Sequence, residues 1–334
     1  MWYNDIGIDL GTANTLVYKR DKGVILREPS VVAIESLSKK VLKVGVEAKE
    51  MIGRTPGSII ACRPLKDGVI ADFDITSEML KAFIKKTVGR KIFTKTRVII
   101  CIPYGVTPVE RRAVEEAAYS SGAKEVYLIE EPLAAAIGAG LPISEPTGSM
   151  IVDIGGGTSE VAVISLSGIV SSVSARVAGD EFDESIISYI KKKYNMLIGD
   201  RTAEEIKLEI GSAWPYTDEG SISVRGRDLI NGLPANITIT AEEVREALAE
   251  PLSIILDAIK STLEKTPPEL AADIIDRGIT LSGGGAYLRG FDKLIYAVTK
   301  IKCHVADNAL DCVAEGTGKV LSNVELLGIL KKRI

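Results

Sequence analysis

The chain has one histidine, His304, in 334 residues. That scarcity excludes a multi-histidine metal site and argues against a Ser-His-Asp or Cys-His enzyme. His304 itself is expected as a surface or partly buried residue beside a strand. The cysteines are few and scattered: Cys62, Cys101, Cys303 and Cys312 show no C-x-x-C spacing. They imply a reducing compartment and no disulfide framework. No apolar run reaches about 18 residues, so no transmembrane helix is expected. No signal peptide precedes Asp5, and the expectation is a cytoplasmic protein. The net charge of −4 excludes nucleic-acid binding by bulk electrostatics. Any catalysis must therefore rest on carboxylates, hydroxyls, backbone amides and metal, an inventory that suits phosphoryl transfer.

What is present begins with Asp5-Ile-Gly-Ile-Asp9-Leu-Gly11-Thr12-Ala13-Asn14-Thr15. Almost half a chain later the same design returns as Ile151-Val152-Asp153-Ile154-Gly155-Gly156-Gly157-Thr158. Each is an apolar run closed by an Asp, then a turn of small and hydroxyl residues, then another apolar run. Small turn residues let backbone N–H groups approach an anion. An Asp at such a turn would repel a phosphate unless a cation lay between them, so Asp9 and Asp153 imply Mg²⁺, held through water. Alone, each turn is also compatible with a plain hairpin. Together they predict a clamp for a nucleoside triphosphate.

Apolar runs predict strands over 5–10, 15–18, 24–27, 30–34 and 41–44, and a helical stretch from Val46 to Ile52. A helix from Glu78 to Val88, a buried strand over 97–103 and a helix capped by Thr107 follow, the last through a Thr-x-x-Glu box with Glu110. A strand at 126–129 runs into the small-residue helix 133–138. Strands 149–154, 159–165 and 169–177 and a helix from about Asp183 to Tyr194 repeat the plan. Thr202 and Thr240 each precede a Glu by three residues and are expected to open helices, the second kinked at Pro251. The pairs 221–225 and 236–240 alternate as half-exposed strands. The fold class expected is a duplicated α/β fold, two lobes around a cleft, each with a small insertion near 33–66 and 182–242.

Further candidates are weaker when taken singly. Gly283-Gly284-Gly285 ends a strand at a helix start, where a nucleotide could lie against bare backbone. Glu131 precedes Pro132, which restrains it towards extended backbone; its carboxylate can orient an attacking water or simply favour a helix start. Glu204 and Lys207 share a helix face and suit either a nucleoside or a solvated ion pair. Gly316-Thr317-Gly318-Lys319 fails as a P-loop: Val313 stands where the first glycine belongs and Val320 follows the lysine. The basic stretch Arg90-Lys91-Ile92-Phe93-Thr94-Lys95 has two bulky apolar residues at its tip, fit for packing down or for wedging into an anionic membrane.

These segments, together with Gly68-Val-Ile-Ala-Asp-Phe73, Leu128 to Gly138, Arg201 to Lys207 and Thr266 to Ile279, resemble the MreB family of bacterial, actin-like, rod-shape-determining proteins (the MreB, Mbl and MreBH type). The resemblance runs from Asp5 to about Leu321. It implies an actin-like, ribonuclease H-like duplicated fold: subdomain IA (1–32, 67–143, 316–334), IB (33–66), IIA (144–181, 243–315) and IIB (182–242). It implies ATP or ADP with Mg²⁺ in the cleft. Gly11, Thr12, Ala13 and Asn14, with Gly155, Gly156, Gly157 and Thr158, would hold phosphates. Glu204, Glu205, Ile206 and Lys207, with Gly283, Gly284, Gly285, Ala286 and Tyr287, would hold the adenosine. Glu131, helped by Thr158, would activate water. It further implies ATP hydrolysis coupled to self-assembly into antiparallel paired protofilaments. These would lie on the inner face of the cell membrane, with Ile92 and Phe93 inserted, among membrane proteins of the shape-determining machinery. Two departures stand out: Ser159 replaces a Thr common in relatives, and Met1-Trp2-Tyr3 is shorter than the amphipathic helix some members carry. A small-molecule kinase of the same fold is the alternative; a chaperone-type ATPase would need a peptide-binding domain beyond Ile334.

Overall fold

The computed structural model describes residues 3–88 and 95–323. The chain first lays down an antiparallel meander, β1 (Tyr3–Leu10), β2 (Asn14–Lys19) and β3 (Gly23–Pro29). A small sheet follows from β4 (Val32–Glu35), β5 (Val41–Val44) and β6 (Ile59–Cys62), with the short helix α1 (Val46–Lys49) before its last strand. The hairpin of β7 (Leu65–Lys66) and β8 (Val69–Ile70) leads into α2 (Phe73–Val88). Strand and helix then alternate as β9 (Lys95–Ile102), α3 (Pro108–Ser120), β10 (Glu125–Glu130) and α4 (Glu131–Gly138). Because β9 runs parallel to β1 and β10 parallel to β9, the large sheet has the order β10-β9-β1-β2-β3.

The second half repeats this. β11 (Ser149–Ile154), β12 (Ser159–Ser165) and β13 (Gly168–Ala175) form the meander. The insertion holds α5 (Gly179–Tyr194), β14 (Met196–Leu197), α6 (Asp200–Ile210), β15 (Ser221–Asp228) and β16 (Pro234–Thr240). After α7 (Ala241–Glu264) and α8 (Pro268–Arg277), β17 (Ile279–Ser282) pairs parallel with β11. Helix α9 (Phe291–Thr299), the parallel edge strand β18 (Cys303–Val305) and α10 (Cys312–Ser322) complete it. The sheet order is β13-β12-β11-β17-β18, strand for strand the plan of the first. Every residue of β11 and β12 is buried, as expected of strands covered on both faces.

Local signals account for some helix starts. Thr107 and Thr240 each accept a hydrogen bond from the N3 amide while the N3 glutamate bonds back, the two capping boxes expected. The third is a correction: α6 starts at Asp200, its N-cap is Gly199, and Thr202 lies inside the helix. A Thr-x-x-Glu pair also fits one face within a helix, so the pattern alone does not mark a start. Helix α2 begins five residues earlier than its apolar spacing suggests, where Asp72 Oδ1 accepts the Ile75 amide at 3.0 Å. Helix α7 continues through Pro251 to Glu264 as one element. His304 sits exposed on β18, its Nε2 3.0 Å from Thr280 Oγ1.

Each lobe has its own apolar core, and a third core lies between them. It gathers Ile99 and Ile129 from one sheet, Ile151 and Ala162 from the other, and Ala134 to Ala136 of α4 with Val320 and Leu321 of α10. Here α4 and α10 cross at backbone distance. A Cβ on Gly316 would stand 1.9 Å from the Ala134 carbonyl oxygen, and one on Gly138 would stand 1.7 Å from that of Cys312. Lys319 Nζ donates to the carbonyls of Ile137 and Gly138 (3.1 and 2.7 Å), satisfying the C-terminal end of α4. The glycine-rich stretch that mimics a P-loop is thus a helix-crossing surface. Helix propensity alone says that Gly316→Ala stabilises by ~1 kcal/mol. The crossing predicts the opposite, a loss of about 1–3 kcal/mol by overpacking, read as a lower urea midpoint.

Candidate functional site

The two marked turns close the β1–β2 and β11–β12 hairpins and meet across the cleft. A Cβ on Gly156 would lie 2.5 Å from the Cβ of Ala13, and one on Gly157 would lie 2.7 Å from Thr12 Oγ1. Only glycine permits this approach. Each turn is held from behind. Ser30 Oγ donates to the Gly11 carbonyl at 2.6 Å, and Thr12 Oγ1 accepts the Gly68 amide at 3.0 Å. On the other side the Gly155 amide donates to the Thr158 carbonyl at 2.9 Å. The amides of Gly179 and Asp180, at the start of α5, donate to the carbonyls of Gly155 and Gly156 at 3.2 and 2.8 Å.

Between the turns lies a cavity of about 490 Å³. Its lining includes Asp9, Gly11, Thr12, Ala13, Asn14, Glu131, Asp153, Gly155, Gly156, Gly157, Thr158, Glu204, Lys207, Gly283, Gly284, Gly285 and Tyr287. Three other candidates are not brought to it. Ile206 is wholly buried in the second lobe's core, Ala286 is 2% exposed in the same core, and Glu205 faces solvent, paired with Arg201 at 3.0 Å. The reason is helical rotation: on α6, residues 204 and 207 share the cleft face and 205 and 206 do not. Nor do Glu204 and Lys207 pair with each other. Glu204 takes Lys49 Nζ on both oxygens, at 3.0 and 2.8 Å. Lys207 Nζ reaches Asp183 Oδ1 and the Gly179 carbonyl, each at 2.8 Å. Ser159 donates to the Val177 carbonyl at 2.7 Å, a structural use of its hydroxyl. Ile92 and Phe93, like Met1 and Trp2, lie outside the described residues.

The floor is acidic and largely buried. Asp9 and Asp153 are 9% and 2% exposed. Burial, then the charges of Asp153 and Asp311, pushes Asp9 up to about 8. Burial also lifts Asp153 to about 6, against a 2.6 Å hydrogen bond donated by Ser282. Glu131, the first residue of α4, is raised well above the usual carboxylate range by burial and by Asp153, Asp9 and Glu160. Carboxylates forced together in this way call for a cation. Among the described residues no cluster of three or more His, Cys, Asp or Glu could hold one unaided. Two carboxylates beside amide-rich turns fit Mg²⁺ that is bound by phosphates and water and held by the acids through that water.

The profile of the family described as MreB/Mbl protein matches residues 3–328. The chain belongs to the MreB/Mbl family. Cell shape-determining protein Mbl of Bacillus subtilis (strain 168) is 54% identical over 327 residues, covering 98% of each chain. MreB5 of Spiroplasma citri, solved bound to ADP, superposes with a TM-score of 0.92 at 41% identity over 98% of each chain. The same protein bound to AMPPNP gives 0.93 at 40% over 99% of each. The fold is the actin-like one, two sheet-containing lobes of one plan.

Some MreB/Mbl cleft residues of this chain escape sequence reasoning. Glu160, on β12 opposite Asp153, is fully buried, accepts from Ser174 Oγ at 2.6 Å and from the Tyr104 amide at 3.4 Å, and is lifted by burial to about 7. The signal available was a lone charge within an otherwise uncharged buried strand. Unlike Glu160, Asp183, Lys49, Arg63 and Asp180 line the cavity itself, and no local spacing links them.

Raised carboxyl pKa values mean that the metal-free folded chain holds protons the unfolded chain has released. Stability from these groups is greatest below about pH 4 and is lost as pH climbs through about 6 and about 8. In EDTA, Asp9→Asn should therefore gain on the wild type progressively between about pH 5 and 8, and saturating Mg²⁺ with nucleotide should shrink that gain. Thermal unfolding across that range checks it; a difference independent of pH refutes it.

Proposed function

We propose that this chain is an actin-like cytoskeletal ATPase that polymerises with ATP into membrane-associated filaments and governs cell shape. The observation that carries the reading is the meeting of two glycine turns and two buried aspartates in one interlobe cavity. The names and nucleotides of the relatives support it: a cell shape-determining protein at 54% identity, and a 41% identical protein solved with ADP and, at 40%, with AMPPNP. The comparisons lend nothing to a small-molecule kinase.

In this reading, backbone N–H groups of Thr12 to Asn14 and Gly156 to Thr158 bind the phosphates. Glu204, Lys207 and the Gly283 to Gly285 turn with Tyr287 bind the adenosine. Asp9 and Asp153 hold Mg²⁺ through water; when bound, it neutralises phosphate charge. Glu131 orients the attacking water towards the terminal phosphate and accepts its proton, with the Thr158 hydroxyl beside it. ATP and water become ADP and phosphate. The subdomain boundaries given above follow the same reading: sheets β10-β9-β1-β2-β3 and β13-β12-β11-β17-β18 as IA and IIA, with 33–66 and 182–242 as IB and IIB. Filaments are proposed to pair antiparallel and to touch the inner membrane face through Ile92 and Phe93, alongside membrane proteins of the shape machinery. Among the described residues no helix is long and apolar enough to cross a membrane.

Glu131→Ala should keep nucleotide affinity while lowering hydrolysis by on the order of 10²-fold. Phosphate release alongside equilibrium titration checks this, and normal turnover removes Glu131 from its role. Electron microscopy and pelleting of the wild type with ATP and Mg²⁺ should show filaments. Changing Ile92 and Phe93 to Ser should reduce co-pelleting with anionic liposomes; unchanged pelleting would place lipid contact elsewhere.

A further inference from the structure

At its floor the lobes are joined by the shared apolar core, where α4 packs against β11 and β12, and by the two abutting turns. At its mouth two ion pairs join the lobes. Lys49, the last residue of α1, grips both oxygens of Glu204 on α6, 155 positions along the chain, at 3.0 and 2.8 Å. Arg63, just after β6, places its guanidinium 2.5 Å from Asp180 in the first turn of α5, 117 positions away. Both bridges run from the small sheet of the first lobe to helices of the second. All four residues line the nucleotide cavity. Their side chains are about one-third exposed, between 30% and 38%. Each pair is thus wet enough to break without uncovering apolar surface, yet sheltered enough to have a fixed geometry.

Their anchors connect to the site itself. Asp180 contributes an amide to the Gly156 carbonyl, in the second phosphate turn. Glu204 lies one turn from Lys207, which is tied to Asp183 and to the Gly179 carbonyl. Opening the mouth therefore pulls on the wall around the base and on the start of α5, and leaves Asp9, Glu131 and Asp153 at the floor untouched.

Resting on the nucleotide-cleft reading above, we propose that Lys49 and Arg63 are positioning residues that hold the mouth shut through Glu204 and Asp180. They set how fast bound nucleotide leaves. Because the bridges carry charge and nothing else, their effect should depend on sign and on salt.

The test is the dissociation of a fluorescent ADP, chased with unlabelled ADP and Mg²⁺, from the full chain. Arg63→Asp, Asp180→Arg and Lys49→Glu should each speed release about two- to five-fold, the range of a half-exposed ion pair. The double reversal, Arg63→Asp with Asp180→Arg, should return release towards the wild-type rate. Raising salt should speed release from the wild type and have little effect on Lys49→Gln with Arg63→Gln, neutral variants that avoid any folding defect from reversed charge. Release at the wild-type rate from the single variants, or no recovery in the double reversal, overturns the proposal. A wild type that binds no labelled ADP sinks the nucleotide reading and this one with it; normal binding with unaltered release sinks only this one.

Discussion

Repulsion among buried carboxylates is the constraint around which this molecule is built. Asp9, Glu131 and Asp153 converge on one floor, Glu160 stands opposite Asp153 on β12, and burial pushes every one of them towards its protonated form. Their positions are not incidental to the fold. Asp9 and Asp153 lie next to last in the central strands of two sheets with equivalent order, and Glu131 follows directly on β10, the parallel edge strand of the first sheet. Duplication thus delivers two equivalent acids to one point, and a chain folding without a cation must keep protons there. The surrounding amides of the two turns supply positive potential to an anion, and a cation beside the acids would offset their mutual repulsion.

Much of this architecture was legible before any coordinates. Apolar runs closed by Asp and small residues marked both meanders, and their repetition marked the duplication, because a buried strand must be apolar and a backbone turn against an anion must be bare. Thr107 and Thr240 marked helix starts because their reciprocal bonds with glutamate need that spacing. The same spacing misled at Thr202, where Gly199 and Asp200 already begin the helix. The β7–β8 hairpin, two residues on each side, was too short for any period to register.

The site divided in the same way. Residues on contiguous turns could be read because backbone chemistry is local. Glu205, Ile206 and Ala286 were drawn in by adjacency, although a helical turn sends neighbours in sequence to different faces. Lys49, Arg63 and Asp180 are the contrary case: each is an ordinary surface charge until tertiary structure brings it opposite a partner more than a hundred residues away. Only the burial of Glu160 had a trace in sequence, a carboxylate inside an otherwise uncharged strand.

The crossing of α4 and α10 has one more consequence. Where Gly316 meets the Ala134 carbonyl and Gly138 meets that of Cys312, the helices touch through backbone, while Leu133, Ile137, Val313 and Val320 beside the contact are buried in one cluster. Lys319 ties the last turn of α4 to α10. The two helices therefore form one block, seated on β1 through α10 and on β11 and β12 through α4. A seam packed that closely leaves one helix no room to slide on the other, so a rearrangement begun at the turns has to be carried by whole sheets.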